Sequence, residues 1–228
     1  MRQPATTLFY WLNIRTWVSF IMLFAARIEV QGAEHIPKKG ACILVSNHVN
    51  VADPPVLTYV FPRRVVWMAK RELFQAPFVG LLFRAFGLIS VRRFEADLSA
   101  LRRAHQALRR GQVLGMFPEG TRSGGRGLKE GEPGTAIIAL RSAAPVLPVA
   151  IWGTENVKLP RDLRHRTKIW VRFGPPIAFP ERKRVTKEDV AAATAEIMAH
   201  IAELLPAQYR GVYGTARPGR VASAPPGR

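Results

Sequence analysis

Acidic residues and cysteine are both scarce in this sequence. Its 228 residues include only 16 aspartates and glutamates against 34 lysines and arginines, which gives a formal net charge of +18. A surface with this excess concentrates anions, whether nucleic acid, anionic lipid or phosphorylated metabolites. The single cysteine, Cys42, cannot form an internal disulfide. We therefore exclude a disulfide-stapled miniprotein and expect the chain to face the cytosol.

Long uncharged apolar runs are lacking as well. The N-terminal stretch, residues 8–26, is apolar and rich in aromatic residues, but Asn13 and Arg15 interrupt it. A membrane-spanning helix needs about 20 nearly uncharged residues, whereas a helix that lies in the membrane interface keeps a polar face. We therefore predict an interfacial, membrane-associating helix over residues 1–29. A first helix packed on the protein core is the open alternative.

Patterns typical of metal and nucleotide sites are also missing. Four histidines have no cysteine or acidic partner at the spacing of metal ligands: His35, His105, His165 and His200. The sequence contains neither a Walker motif nor a glycine-rich dinucleotide fingerprint in a strand-to-helix context. We expect no metal site and no bound cofactor.

The chain does contain an alternation of short apolar runs and longer helical patterns. Six runs are candidate strands, namely residues 42–46, 65–69, 88–91, 113–117, 146–151 and 168–173. Helical periodicity covers residues 95–110 and the stretch between Thr186 and Pro206. The alternation predicts a single α/β domain over residues 30–205, with a mostly parallel central sheet flanked by helices. Residues 206–228, which are basic and contain several Gly and Pro, are expected to form a flexible tail.

The first chemical signal follows the first of these runs, where His48 precedes Asp53 by five positions. Residues five apart on a continuous helix point about 140° away from each other, so a turn must join the pair. Asp53 lies directly before Pro54 and has the features of a helix N-cap. Its carboxylate can then reach one imidazole nitrogen and leave the other free, as a general base requires. A purely structural His–Asp pair at a helix start stays open on this spacing.

The second signal is the segment Phe-Pro-Glu-Gly-Thr-Arg-Ser at residues 117–123, again directly after an apolar run. The carboxyl ends of strands in an open α/β sheet are where such folds bind ligands. Arg122 is suited to bidentate recognition of a phosphate group. The alternative is an ordinary polar turn in which Glu119 pairs with Arg122.

Four blocks of this sequence, taken in order, resemble the glycerolipid acyltransferases, specifically the 1-acylglycerol-3-phosphate acyltransferases. The blocks are residues 47–53, 87–93, 117–123 and 146–151. The resemblance extends over residues 30–175. It implies transfer of an acyl group from acyl-CoA or acyl carrier protein to the free hydroxyl of 1-acylglycerol-3-phosphate. The product would be phosphatidate for phospholipid synthesis.

The resemblance also implies roles for single residues. His48, held by Asp53, would take the proton of the attacking hydroxyl, and no covalent acyl-enzyme would be needed. Backbone amides of the turn around His48 could stabilise the oxyanion. Cys42, inside an apolar run, is expected to be a core residue rather than a nucleophile. The family's substrate-binding positions fall on Arg93, Glu119, Gly120, Thr121 and Arg122, of which the arginines would bind the acceptor phosphate.

We expect a peripheral protein on the cytoplasmic face of the cell membrane. Its partners would be the acyl donor, the lysophospholipid acceptor, an anionic membrane surface and, where it is the donor, acyl carrier protein. Nucleic acid is not expected, because the basic residues are spread along the chain without a recognisable binding module. Two alternatives stay open. One is an acyltransferase for another lysolipid or for glycerol-3-phosphate, and the other is a non-catalytic basic membrane-surface protein.

Overall fold

Seven strands form one sheet in the computed structural model of the protein, which describes residues 10, 12, 16, 18–92, 97–157 and 166–214. They are β1 (Ala26–Gln31), β2 (Cys42–Ser46), β3 (Val65–Lys70), β4 (Ile89–Val91), β5 (Val113–Met116), β6 (Val146–Trp152) and β7 (Thr167–Phe173). Their order across the sheet is β1-β7-β6-β2-β5-β3-β4. In the described part of the chain every strand pair is parallel except β6 with β7. The predicted, mostly parallel α/β sheet is confirmed.

Six α-helices of the described residues accompany the sheet. They are α1 (Ser19–Ala25), α2 (Asp53–Val60), α3 (Pro77–Phe86), α4 (Leu98–Arg109), α5 (Pro133–Ser142) and α6 (Lys187–Leu204). Local sequence explains where several of them begin. The Asp97 side chain accepts a hydrogen bond from the Ala100 amide at the start of α4, and Thr186 and Asp189 form a reciprocal capping box at the start of α6.

Alternate residues of the central strands contribute to two apolar cores, one on each face of the sheet. In β2, Ile43 belongs to the core that includes buried residues of α4, α5 and α6. Its neighbour Leu44 belongs to the other core, together with Leu57 of α2. All residues of β2 and β6 are buried, as expected for parallel strands that are covered on both faces. This is why the continuous apolar runs predicted these strands closely.

The N-terminal prediction is wrong at its boundary. Helix α1 ends at Ala25, and residues 26–29, assigned to an interfacial helix, belong to β1. The reason is a long-range pairing, because β1 aligns in parallel with β7 and so satisfies its backbone hydrogen-bonding groups. Within residues 10–214, as far as they are described, no helix has the length and hydrophobicity of a membrane span.

Part of the predicted flexible tail is ordered. Residues 206–214 include two 3-10 helices, Ala207–Tyr209 and Gly211–Tyr213. The Leu128 amide donates to the Tyr209 carbonyl at 2.9 Å, and the Leu128 carbonyl accepts from the Val212 amide at 3.1 Å. The two tyrosines also pack against the apolar core, and this burial offsets the chain entropy lost on ordering. The remainder of the predicted tail, residues 215–228, lies outside the described residues.

Candidate active site

Three loops meet at one edge of the sheet. Strands β2, β5 and β6 are adjacent and parallel, so the loops that follow them leave the sheet at the same carboxyl-terminal edge. The loop after β2 carries His48, the loop after β5 carries Glu119, and the turn after β6 carries Thr154. The Ser123 amide, in the second loop, donates to the His48 carbonyl in the first at 2.7 Å. The two sequence signals therefore form one site.

His48 and Asp53, predicted as a pair, are in contact. Nδ1 of His48 lies 2.8 Å from Oδ2 of Asp53. Asp53 is fully buried, and His48 is 7% exposed. Among the described residues, no group hydrogen bonds to Nε2 on the opposite side of the imidazole ring. The carboxylate therefore favours the proton on Nδ1 and leaves Nε2 as an acceptor, the tautomer that a general base needs.

The Asp53 carboxylate accepts further hydrogen bonds on both oxygens. Oδ2 accepts the amides of Val49 at 2.6 Å and Asn50 at 2.8 Å, and Oδ1 accepts the Thr154 hydroxyl at 2.6 Å. The sequence predicts Asp53 as the N-cap residue of α2, and this prediction is wrong by one position. Asp53 is the first residue of the helix. The side chain turns back toward the loop because the imidazole and the two amides supply three donors there.

Glu119 is buried beneath the His48 loop. Its Oε1 accepts the His48 amide at 2.7 Å, and its Oε2 accepts the Lys129 amide at 3.0 Å. Burial raises the pKa of Glu119 to about 7, against the opposing effect of these two amides. Both carboxylate oxygens thus bind backbone, and the described contacts include no ion pair between Glu119 and Arg122. Glu119 joins the loops after β2 and β5.

The raised pKa of Glu119 predicts a pH-dependent stability. The folded protein keeps the Glu119 proton at pH values where the unfolded chain, with an ordinary value near 4.5, has lost it. The free energy of unfolding should therefore fall as the pH rises from about 4.5 to about 7, by up to about 3 kcal/mol for this one group. Denaturant unfolding across this pH range measures the free energy of unfolding of the wild type and of Glu119→Gln. The stability advantage of the wild type over the variant should shrink as the pH rises.

The exposed Glu130 provides the matched control for this measurement. Glu130→Gln should retain the wild-type slope of unfolding free energy against pH. A stability difference between the wild type and Glu119→Gln that stays constant from pH 4.5 to pH 7 would show that Glu119 does not titrate in this range.

An aromatic stack supports the His48 ring. The Phe117 ring lies 4.0 Å from the imidazole, centroid to centroid, with an angle of 17° between the planes. Trp67 stacks on Phe117 at 5.0 Å and 11°, and its indole Nε1 donates to the Thr58 hydroxyl at 2.8 Å. The stack fixes the plane of the imidazole, while Asp53 fixes its rotation within that plane.

Comparison with known proteins identifies the family to which this arrangement belongs. The chain matches the family model described as Acyltransferase over residues 27–152, a range that contains His48, Asp53 and Glu119. This chain belongs to the acyltransferase family. A 1-acyl-sn-glycerol-3-phosphate acyltransferase of Borreliella burgdorferi is 33% identical to it over 147 residues, or 64% of this chain and 57% of that relative. The aligned region thus spans less than two thirds of that relative's length.

Other relatives are matched over more of their length. The 1-acyl-sn-glycerol-3-phosphate acyltransferase of Escherichia coli is 28% identical over 186 residues, covering 80% of this chain and 76% of the relative. A solved structure, the 1-acyl-sn-glycerophosphate (LPA) acyltransferase from Thermotoga maritima, superposes with a TM-score of 0.63. It is 24% identical, with 87% of this chain and 85% of that chain covered. At this identity the superposition shows a shared fold.

Most of the predicted substrate-binding residues lie on the turn after β5. Gly120 has a φ of 64°, a left-handed conformation that lets the chain reverse direction there. Thr121 is half-buried, and Arg122 is exposed. The Arg122 carbonyl accepts a hydrogen bond from Nζ of Lys129 at 2.9 Å. Arg93, which follows β4 in the sequence, lies outside the described residues.

Two residues of this site were not among the predicted site residues. The side-chain amide of Asn47 pairs with the backbone of Ile151 in β6, donating at 2.7 Å and accepting at 2.8 Å. Thr154 binds Asp53 from the turn that follows β6. Both residues follow closely after the carboxyl ends of predicted strands. Polar residues at such positions are candidates for a site in an α/β sheet, and this signal could have identified them.

Three backbone amides of the turn around His48, where oxyanion donors were expected, already have acceptors. The His48 amide donates to Glu119, and the amides of Val49 and Asn50 donate to Asp53. These three backbone groups hold His48 and Asp53 in place and are not free to bind a ligand.

Cys42 is a core residue, as predicted. Its side chain is fully buried in β2, and burial raises the pKa of the thiol to about 12. The thiol therefore stays protonated at neutral pH, where a nucleophilic cysteine needs a substantial thiolate fraction.

Proposed function

We propose that this protein transfers an acyl group from a thioester donor to the free hydroxyl of 1-acyl-sn-glycerol-3-phosphate, producing phosphatidate. One observation carries the proposal. Nδ1 of His48 is bound to a buried carboxylate while Nε2 is left available to a substrate, at the ligand-binding edge of the sheet. The acceptor is inferred from relatives that are named 1-acyl-sn-glycerol-3-phosphate acyltransferases.

The proposed reaction needs no covalent enzyme intermediate. Nε2 of His48 takes the proton of the acceptor hydroxyl as the oxygen bonds to the thioester carbonyl carbon. The resulting tetrahedral intermediate collapses, the carbon–sulfur bond breaks, and the leaving thiolate takes the proton back from Nε2. Asp53 stabilises the imidazolium that exists between these two steps. We propose acyl-CoA or acyl carrier protein as the thioester donor.

The acceptor phosphate is proposed to bind Arg122 and Arg93. Arg122 lies next to Ser123, whose amide contacts the His48 carbonyl, so its backbone is close to the base. A guanidinium can bind a phosphate through two parallel hydrogen bonds. The thioester group of the donor is uncharged and offers no matching pair of anionic oxygens. Arg93, at the end of the second family block, is proposed as a second ligand of the phosphate.

The effect of Arg122→Ala on the two substrates tests the phosphate contact. Loss of a charge-assisted hydrogen bond of about 1.5–3 kcal/mol should raise KM for lysophosphatidate by about 10- to 100-fold. KM for the acyl donor should change by less than about twofold, and Arg122→Lys should recover only part of the loss. Steady-state kinetics with each substrate varied in turn measures both values.

Arg126 is the matched control, because it is an exposed arginine of the same loop. Arg126→Ala should leave KM for lysophosphatidate close to that of the wild type. Equal changes in both KM values for Arg122→Ala would point to a structural role in the turn and contradict phosphate binding.

We further propose that the protein acts as a peripheral protein at the cytoplasmic surface of an anionic membrane. The net charge of +18 favours anionic lipid, and Phe20 and Phe24 of α1 expose their rings to solvent. The acceptor is an amphiphile that partitions into bilayers, so a site at headgroup level gives direct access to it. Protein that stays in the supernatant after sedimentation with anionic vesicles would contradict this placement.

A direct assay separates the proposed activity from the alternatives. The purified protein is incubated with radiolabelled acyl-CoA or acyl carrier protein and with lysophosphatidate, glycerol-3-phosphate or other lysolipids in parallel. Labelled phosphatidate from lysophosphatidate is the expected product. Product from another acceptor would reassign the substrate, and no acylated product from any acceptor would favour a non-catalytic membrane-surface protein.

A further inference from the structure

Helix α3 exposes apolar side chains along one broad face. Phe78 is 87% exposed, Leu81 66% and Leu82 46%, and Val79 also faces solvent. The only buried residue of the helix is Gly80. Contiguous exposed apolar surface of this kind marks an interaction site.

The helix is nevertheless fixed in position. It packs mainly against the 3-10 helix Arg71–Phe74. Gly80 allows the close approach, because a Cβ atom at that position would lie 2.2 Å from the Phe74 carbonyl oxygen. The guanidinium of Arg84 donates to the same carbonyl at 3.1 Å. The exposed side chains are therefore presented by an element with a defined position.

Basic residues outnumber acidic ones in the segment that carries this apolar surface. Residues 70–86 contain Lys70, Arg71 and Arg84, all exposed, against the single acid Glu72. Apolar side chains bordered by lysine and arginine are complementary to an anionic bilayer surface, with its hydrocarbon layer beneath charged headgroups. A second copy of the chain fits less well, because a two-fold interface would place these cations opposite their own counterparts.

We propose that α3 inserts into the interfacial layer of an anionic lipid bilayer and lies flat in it. Ten residues of helix extend about 15 Å, half of the roughly 30 Å of a hydrocarbon core, so α3 cannot cross. The helix follows β3, whose carboxyl end lies at the same edge of the sheet as that of β2. Insertion would therefore turn the His48 edge toward the membrane. This inference deepens the proposed function by assigning its membrane contact to a second element besides the N-terminal segment.

A fluorescent label on α3 tests the insertion directly. Cys42 is buried, so a cysteine introduced by Leu81→Cys is the reactive position for an environment-sensitive dye. The matched control is Val30→Cys, which labels an exposed valine of β1. Strand β1 runs opposite to β2, and its carboxyl end lies at the other edge of the sheet. Both labelled full-length proteins are titrated with vesicles of phosphatidylcholine alone or mixed with phosphatidylglycerol.

The label at position 81 should shift to the blue and brighten with phosphatidylglycerol vesicles, while the label at position 30 should not. The double variant Phe78→Ser, Leu81→Ser should partition onto these vesicles at least about tenfold more weakly. Unchanged partitioning of the double variant, or no shift at position 81 in protein that sediments with vesicles, would overturn the proposal. A shift without vesicles that grows with protein concentration would overturn it in favour of a second copy. The fluorescence and partitioning measurements do not require enzymatic turnover. A protein that inserts α3 but transfers no acyl group would therefore contradict the proposed function and leave the insertion of α3 supported.

Discussion

Replacing His48 with alanine is expected to lower kcat by about 10²- to 10⁴-fold, the usual contribution of a positioned general base. The imidazole is the group that would remove the hydroxyl proton, and its Nε2 has no competing partner among the described residues. KM should change little, because the imidazole is proposed to act on the reacting hydroxyl rather than on the phosphate or the acyl chain. Initial rates with saturating lysophosphatidate and acyl donor measure the loss.

His105→Ala is the matched control, since His105 lies in α4 and not among the loops of the site. It should retain wild-type turnover. The far-ultraviolet circular dichroism and the thermal midpoint of His48→Ala should match those of the wild type closely enough to show a folded protein. Near-normal turnover in folded His48→Ala would reject the general-base mechanism.

Asp53→Asn should lower kcat by an amount at the upper end of the range expected for His48→Ala, and it should also destabilise the fold. Loss of the orienting carboxylate in a His–carboxylate pair costs on the order of 10⁴-fold in kcat, because the neutral partner favours the wrong tautomer. The asparagine NH₂ group must also replace one carboxylate oxygen. That oxygen accepts either the Thr154 hydroxyl or two backbone amides, so at least one buried hydrogen bond is lost. We expect the free energy of unfolding to fall by about 1–3 kcal/mol.

Thr154→Val provides a graded comparison for Asp53→Asn. It removes one hydrogen bond to Oδ1 and leaves the contact between His48 and Oδ2 in place. Its kcat should fall far less than that of Asp53→Asn, and Thr154→Ser should recover most of the loss. Equal losses in Thr154→Val and Asp53→Asn would show that general disruption of the loop, rather than orientation of the imidazole, explains both effects.

Local signals in the sequence were sufficient for much of the fold. The apolar run of β2 predicts a strand that is buried on both faces, and the capping pattern of Thr186 and Asp189 predicts the start of α6. Strand β1 carries a local signal of another kind, since apolar and polar residues alternate over Ala26–Gln31, but residues 26–29 were assigned to the preceding helix. Its pairing partner β7 lies more than a hundred residues away in the sequence, so the position of β1 at the edge of the sheet could not be predicted locally.

The sequence by itself determined the pairing of His48 with Asp53, because a short turn between a strand and a proline-initiated helix leaves few other positions for the carboxylate. Only the tertiary structure decided how that pair is held. Thr154 reaches Asp53 across 101 positions of sequence, and Asn47 reaches Ile151 across 104. Glu119 binds the His48 amide across 71 positions. These contacts depend on β2 lying between β5 and β6, and strand order is set by the packing of the whole sheet rather than by local residue preferences.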